Sequence, residues 1–256
     1  MKPIHHAAQQ GFTQAAELYQ QVRPDYPQDI VNWLKRELRL DQSSRVVDLG
    51  AGTGKFIPYL KQITSDIIAV EPVQAMREQL SKVHPDVKTL AAYSSEIPLA
   101  PQSVDAVICA QSFHWFSNIE TLNEIHQILK KEGHLGLVWN QRDIEINWVK
   151  ALANILEPLE QDTPRYHSGD WKKVFEHQFL FRLESVNVFS QTQKGSVEQV
   201  VSKRLLSTSF VAALPEDQQY ELKQQFEQVV FELTGKQPQD EIEFPYITYA
   251  YHFKKI

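Results

Sequence analysis

The chain has 256 residues, a common size for one enlarged domain. Its formal net charge of -6 argues against a nucleic-acid binder, because such proteins usually carry a basic surplus. The chain starts without an apolar signal-peptide core and has no uncharged apolar stretch near the ~20 residues that span a bilayer, so we expect a cytoplasmic protein. The single cysteine, Cys109, lies in an apolar run, which indicates a buried core residue rather than a catalytic thiolate.

Apolar spacing predicts the order of helices and strands along the chain. Two helices come first, at 12–21 and 28–40, separated by a segment with two prolines. Short apolar strands then alternate with helices, and we expect Gly133 to end the third of these helices. The predicted strands are 45–49, 66–70, 86–91, 104–110, 134–139, 179–190 and 242–253. The predicted later helices are 56–63, 73–83, 119–129, 144–159, 197–206 and 216–233.

This alternation is typical of an α/β fold. It indicates a mostly parallel sheet with helices on both faces, and we expect the last two strands to pair antiparallel at its edge. No break in composition marks a domain boundary, so the sequence predicts a single domain over 1–256. Within it, 1–40 would be a helical lid, 41–142 a ligand-binding core, and 143–256 the substrate-side helices with the final two strands.

A glycine-rich turn follows the first predicted strand, over 46–54. Glycines allow a tight turn and let a ligand approach the backbone, and the free amides at the following helix start can bind it. A dinucleotide site would have a third glycine where this chain has Lys55, and Asp48 would repel a pyrophosphate. The same carboxylate would attract the ammonium and sulfonium groups of S-adenosylmethionine, so the turn favours that cofactor.

A second carboxylate, Glu71, ends the next predicted strand. Nucleotide-binding folds place an acid at this distance on the ribose hydroxyls, each of which can donate to the carboxylate. On its own, Glu71 could be a helix N-terminal carboxylate, but together with the glycine turn the ribose role is favoured. Pro72 stops the strand, and Met76 on the next helix would lie either over an adenine or in the core.

These residues resemble the class I S-adenosylmethionine-dependent methyltransferases, and within them the type 11 branch. The resemblance covers roughly the first two thirds of the chain. It rests on segments 48–55, 70–76, 103–107, 111–116, 124–130 and 136–140. Tyr19 and segment 23–27 resemble the segment that precedes the core in one subgroup. That subgroup includes proteins similar to trans-aconitate methyltransferase.

The resemblance implies a Rossmann-like seven-stranded sheet with strand seven antiparallel, and extra helices before the core and after strand five. It implies S-adenosylmethionine as the cofactor and methyl transfer to a small-molecule acceptor. We expect no nucleic-acid partner because of the acidic balance, no membrane partner because no long apolar stretch is present, and no required metal because the sulfonium is already a good leaving group. The resemblance places Glu71 on the ribose and Gln111 at the methyl end, whereas Ser95 stands where an acid is common. The predicted cofactor residues are Tyr19, Arg23, Asp48, Gly50, Ala51, Gly52, Thr53, Glu71, Pro72, Met76, Ser94, Ser95 and Gln111.

The acceptor is expected beyond the carboxyl ends of the strands, where open α/β sheets bind ligands. Aromatic residues just after strand four would form either a dry pocket wall or part of the core. His114 among them would act as a general base or only make a hydrogen bond. The predicted substrate residues are Phe113, Trp115, Phe116, Trp139 and Asn140. Arg23 would pair with an anion or cap a helix.

Three alternatives remain at this stage. A non-catalytic S-adenosylmethionine-binding protein would carry the same cofactor motifs. A nicotinamide-dependent oxidoreductase shares the type of fold but needs a pyrophosphate site. A nucleic-acid methyltransferase that modifies amino groups would carry an Asp/Asn-Pro-Pro-aromatic motif, which segment 110–113 lacks. Neither the acceptor nor the oligomeric state can be read from the sequence.

Overall fold

The computed structural model describes residue 18 and residues 20–256. Most of the predicted helix 12–21, and Tyr19, lie outside the described residues. The described chain forms two compact units, here called the core unit and the helical unit. The core unit contains 26–140, 164–189 and 248–256, and the helical unit contains 141–163, 190–247 and the described residues up to 25. The predicted division of one domain at residues 40 and 142 stays a prediction.

The chain forms a seven-stranded sheet. Its strands are β1 (Val46–Leu49), β2 (Ile67–Val70), β3 (Lys88–Leu90), β4 (Val104–Ala110), β5 (Leu129–Arg142), β6 (Phe181–Ser196) and β7 (Glu241–Lys255). Their order across the sheet is β3-β2-β1-β4-β5-β7-β6. β7 is antiparallel and the other strands are parallel, which confirms the predicted Rossmann-like fold class.

Helices cover both faces of the sheet in the core unit. They are α1 (Asp29–Arg36), α2 (Ile57–Leu60), α3 (Gln74–Val83) and α4 (Ile119–Ile128), with short 3-10 turns at Phe113–Trp115 and Asp170–Phe175. Because side chains alternate along a strand, Val46 and Val47 enter opposite apolar layers. Val47 packs in the layer that contains Leu122 of α4, and Val46 packs in the layer that contains Leu34 of α1.

The helical unit has its own apolar core. Its helices are α5 (Asn147–Glu160), a π-helical segment (Glu198–Lys203), α6 (Arg204–Leu206), α7 (Ser209–Ala212) and α8 (Glu216–Thr234). Leu152 and Phe226 are fully buried in the cluster that joins α5 and α8. No helix among the described residues is both long and apolar enough to cross a bilayer.

The boundary between α4 and β5 differs from the prediction. The helix ends at Ile128 and the strand begins at once, so Gly133 lies inside β5 and the expectation that it ends the helix was wrong. Leu129 pairs with Val104, and His134 pairs with Ala106, which leaves the intervening residues of β5 as a bulge. Spacing along the sequence does not reveal such a bulge, because it depends on the register with β4.

Candidate active site

The glycine turn leaves β1 in a left-handed conformation. Gly50, Gly52 and Gly54 have φ angles of 70°, 57° and 85°, a region that side chains rarely adopt. The Gly50 amide donates to the carbonyl of Val70 at 2.8 Å, which ties the turn to the end of β2. A Cβ on Gly50 would lie 2.6 Å from Cβ of Ser112, so this position has no room for a side chain.

Ser112 holds the segment after β4 against this turn, a role that the sequence did not reveal. Its hydroxyl donates to the carbonyl of Leu49 at 2.7 Å. The preceding Gln111 has a φ of 60°, and its side-chain amide donates to the carbonyl of Asn140 at 3.0 Å. The carboxyl ends of β1, β4 and β5 are therefore joined by side-chain hydrogen bonds. The predicted contact of Gln111 with the methyl end of a cofactor stays a prediction.

Asp48 is a buried carboxylate near the end of β1. It is 1% exposed, and neither of its oxygens has a hydrogen-bond partner among the described residues. Burial and the nearby charge of Glu71 raise the pKa of Asp48 to about 7. A buried acid without a partner is costly, and a cation bound beside it would relieve that cost.

Glu71 connects the end of β2 with the glycine turn. One carboxylate oxygen accepts from the amide of Gly52 at 3.0 Å, and the other accepts from the amide of Val73 at 2.8 Å. Burial raises the pKa of Glu71, while these amides and the charge of Arg77 lower it. Each oxygen can still accept a second hydrogen bond, which suits the two hydroxyls of a ribose.

Asp48 and Glu71 together decide which ligand fits the turn. Two buried carboxylates beside the turn oppose a pyrophosphate and favour a cation. The sulfonium and ammonium groups of S-adenosylmethionine are cationic, and its ribose offers the diol. The residues present therefore fit S-adenosylmethionine and fit a dinucleotide poorly.

His84 packs against the glycine turn at Gly54. The sequence did not single this residue out. This buried histidine at the end of α3 makes a hydrogen bond of 3.1 Å from Nε2 to the carbonyl of Gly54. Its Cδ2 lies 2.7 Å from where a Cβ on Gly54 would be. The ring thus fills the space that the third glycine leaves open.

The remaining predicted cofactor residues are placed as follows. Thr53 and Met76 are buried, while Ala51 and Pro72 are partly exposed. The hydroxyl of Ser94 lies 2.8 Å from that of Thr121, at the start of α4, and Ser95 is exposed. Their contacts with a cofactor stay predictions. Arg23 lies in the helical unit, where its guanidinium donates to the carbonyl of Ser207 at 2.6 Å.

The imidazole of His114 is already engaged on one side. The indole N–H of Trp139 donates to its Nδ1 at 3.0 Å. Burial, together with the positive charges of Arg165 and His167, lowers the pKa of His114 to about 3. With its Nδ1 lone pair occupied, neutral His114 carries its proton on Nε2 and is a donor. This arrangement does not favour the predicted role as a general base.

The aromatic residues near His114 divide into core and surface. Phe113 and Trp139 are 0% exposed and pack in the core, so their predicted contact with a substrate is not favoured. Trp115 and Phe116 are partly exposed. Phe116 lies 3.1 Å from where a Cβ on Gly50 would be, which keeps it beside the cofactor turn. Asn140 is buried, and its side-chain oxygen accepts from the hydroxyl of Thr248 at 2.6 Å.

A loop beyond the predicted site packs against Trp139. The ring of Tyr166 lies 5.0 Å from that of Trp139 and stacks on Tyr249 at 5.3 Å. The indole of Trp171 donates to the carbonyl of Tyr166 at 3.2 Å and fixes the loop. The sequence did not indicate these contacts, because nothing local shows which side chains a loop will meet.

The order of the sheet, the glycine turn after β1 and the acid after β2 define a Rossmann-like cofactor-binding protein. A family model described as a methyltransferase domain matches residues 47–137. An uncharacterized methyltransferase-like protein of Schizosaccharomyces pombe is 35% identical over 93% of this chain and 92% of its own length. An uncharacterized methyltransferase of Mycobacterium tuberculosis is 33% identical over 73% of this chain and 80% of its own length. The chain belongs to the class I S-adenosylmethionine-dependent methyltransferases.

Solved structures share the fold. A candidate type II methyltransferase from Anaeromyxobacter dehalogenans is 20% identical and superposes with a TM-score of 0.66, covering 91% of this chain and 97% of its own. The [4+2]-cyclase SpnF is 12% identical and superposes with a TM-score of 0.56, covering 97% of this chain and 95% of its own. Because a cyclase also has this fold, the assignment to methyltransferases rests on the sequence relatives rather than on the fold.

Proposed function

We propose that this protein transfers the methyl group of S-adenosylmethionine to a small-molecule acceptor at the carboxyl ends of β1, β4 and β5. The observation that carries the proposal is Asp48, a buried carboxylate whose oxygens have no hydrogen-bond partner among the described residues. The carboxylate lies just before a turn whose backbone is open to a ligand, and it is complementary to the charge of a sulfonium compound.

Each part of the site has a role in this proposal. The amides of the turn and Asp48 hold the methionyl part, and Glu71 accepts from the ribose hydroxyls. Gln111 and Phe116 lie at the methyl end, where they align the acceptor and exclude water. When bound, the cofactor supplies a methyl group on a good leaving group. The chain itself therefore has only to bind and to orient the two reactants.

Calorimetry with S-adenosylhomocysteine, the demethylated product, tests cofactor binding. We expect saturable binding to the wild-type protein and a loss of at least about tenfold in affinity for Glu71→Gln, because an amide is a weaker acceptor for the ribose than a charged carboxylate. Glu78→Gln is the matched control, since Glu78 is an exposed residue of α3 that pairs with Gln74.

Binding alone would also suit a non-catalytic protein, so turnover decides between the two. S-adenosylmethionine is supplied with a panel of small acids, phenols and amines, and S-adenosylhomocysteine formation is measured. Production above the rate without acceptor supports the proposal. Absence of binding to folded wild-type protein, or equal binding by Glu71→Gln, contradicts the proposed site.

A further inference from the structure

Helix α3 is tied to the glycine turn at both of its ends. At its start, the Glu71 carboxylate accepts from the amide of Gly52 at 3.0 Å. Arg77 of α3 donates to the carbonyl of Glu71 at 2.9 Å, so the first turn of the helix also holds the backbone of this acid. At its end, Nε2 of His84 makes a hydrogen bond of 3.1 Å with the carbonyl of Gly54. The two contacts lie two residues apart on the turn and the whole length of the helix apart on α3.

The hydrogen bond at the end of α3 has a fixed direction. A carbonyl oxygen only accepts, so Nε2 of His84 carries the proton in this contact. The carbonyl of Gly54 also accepts from the amide of Ile57 at 3.1 Å, at the start of α2. One oxygen atom therefore joins the end of α3 to the start of α2. Because the imidazole is buried, losing this contact costs more than losing an exposed one.

Side-chain packing supports the same contact. Met76, Leu80 and His84 are spaced by four residues, share one face of α3 and are all buried. A Cβ on Gly54 would lie 2.7 Å from Cδ2 of His84 and 3.1 Å from Cγ of Leu80. The buried face of α3 therefore packs directly on the backbone of the turn, and a side chain at position 54 would push the two apart.

We propose that His84 is a positioning residue for the cofactor, because its hydrogen bond to Gly54 holds α3 against the turn and α3 in turn fixes Glu71 for the ribose hydroxyls. This rests on the proposed function. His84 acts through these two residues rather than on the reacting atoms. Its loss therefore weakens binding of the adenosine half of the cofactor, and it leaves the attraction between Asp48 and the cationic methionyl half in place.

Calorimetry with two probes tests this role. 5′-Methylthioadenosine has the adenosine half without the amino-acid half, and S-adenosylhomocysteine has both. We expect His84→Leu to lower the affinity for both probes by the same factor, at least about fivefold, because the ribose contact is common to them. A merely structural role would lower the fraction of folded protein, which changes the stoichiometry of binding and leaves the affinity unchanged.

Two amide variants separate the hydrogen bond from the packing. His84→Gln places an amide N–H where Nε2 of the imidazole lies, so it should keep most of the wild-type affinity. His84→Asn is one carbon shorter, does not reach the carbonyl of Gly54 and should lose as much affinity as His84→Leu. This pair also keeps the test valid if His84→Leu does not fold. His177→Leu is the control, since His177 is an exposed histidine of the same unit, and it should bind both probes as the wild type does.

The outcomes separate this inference from the proposed function. If S-adenosylhomocysteine fails to bind wild-type protein, both are overturned. If it binds and the Leu and Asn variants of His84 keep wild-type affinity for 5′-methylthioadenosine, only the role of His84 is overturned. A wild type that binds S-adenosylhomocysteine but not 5′-methylthioadenosine also overturns that role, because the adenosine half would then contribute little. Equal losses for both probes, with recovery in His84→Gln, support it.

Discussion

Trp139 donates its indole N–H to Nδ1 of His114 over 3.0 Å, and this contact decides what the histidine can do. A base needs a free lone pair, and the one at Nδ1 is occupied inside the protein. The remaining nitrogen carries the proton in the neutral ring. The segment after β4 thus presents a donor, where the sequence alone left both a general base and a simple hydrogen bond open.

His114 is expected to stay neutral, with its proton on Nε2, across the physiological pH range. Its folded pKa is lowered to about 3, so protonation should appear only in strong acid. Long-range nitrogen–proton NMR of the imidazole, recorded from pH 8 to about pH 4, reports the tautomer directly. Trp139→Phe should raise the pKa, and Trp148→Phe in the helical unit is the matched control. A wild-type His114 that takes up a proton near pH 6.5 would contradict this.

Asp48→Asn is expected to stabilise the protein while weakening cofactor binding. The folded pKa of Asp48 is about 7, above the ordinary value of 3.8 for an aspartate, so the folded state holds the proton more tightly. Stability is therefore lost as pH rises from about 4 to 7, and the variant avoids that loss. We expect a gain of about 1–3 kcal/mol at pH 8 that shrinks toward pH 4, measured by urea unfolding.

The same substitution should reduce S-adenosylmethionine affinity at pH 8 by at least about tenfold, because the opposing charge is gone. Wild-type binding near neutral pH should release protons from Asp48, and calorimetry in buffers of different ionisation enthalpy measures that release. Asp66→Asn, at an exposed carboxylate paired with Arg45, is the control. Unchanged affinity in Asp48→Asn would rule out an electrostatic role for this residue.

Gly50→Ala is expected to cost more stability than Gly169→Ala. Both glycines have φ angles near +70°, but nothing lies within 4 Å of a Cβ on Gly169. Gly169→Ala should thus cost only the backbone strain, about 1–2 kcal/mol. Gly50→Ala adds a clash with Ser112, for a total of about 3 kcal/mol or more. Ser112→Gly should rescue part of that loss, and equal costs at the two sites would show that the close approach is absent.

Mild acid is expected to destabilise the core unit through a pair of histidines. Nδ1 of His134 lies 2.9 Å from Nε2 of His252. Burial lowers the pKa of both, to about 4 for His134, with the charge of His252 also acting on it. Folded pKa values below the unfolded value mean that stability is complete above pH 6.5 and is lost as pH falls toward 4.

Because His134 is half-buried, we expect a loss of about 1–2 kcal/mol between pH 7 and pH 5, after allowing for solvent screening. His134→Gln should match the wild type at pH 7.5 in urea unfolding and lose less stability at pH 5. An identical pH dependence in the variant would exclude this pair as the cause.

Much of the fold could be predicted because its signals are local. The strand before Gly50, the glycines after it and Glu71 all belong to one strand–helix–strand unit. Their spacing along the sequence reflects that unit. The bulge before His134 could not be predicted, since it depends on the register with a strand about thirty residues away in the sequence.

The candidate site was only partly visible in the sequence for a similar reason. Asp48 and Glu71 were identified from charge and position, yet Ser112, His84 and the 165–167 loop were not. Ser112 meets Leu49 and His84 meets Gly54 across 63 and 30 positions of the chain. The first pair forms because β1 and β4 bring their carboxyl ends together, and the second forms because the end of α3 packs against the turn.

The order of residues by itself determined the sheet, the glycine turn and the negative charge beside that turn. Periodicity, glycine conformation and carboxylate charge are all properties of short segments. Only the tertiary structure decided that His114 donates and that Phe113 is core. Both outcomes depend on which side chains occupy the neighbouring space, and that is set by packing between distant segments.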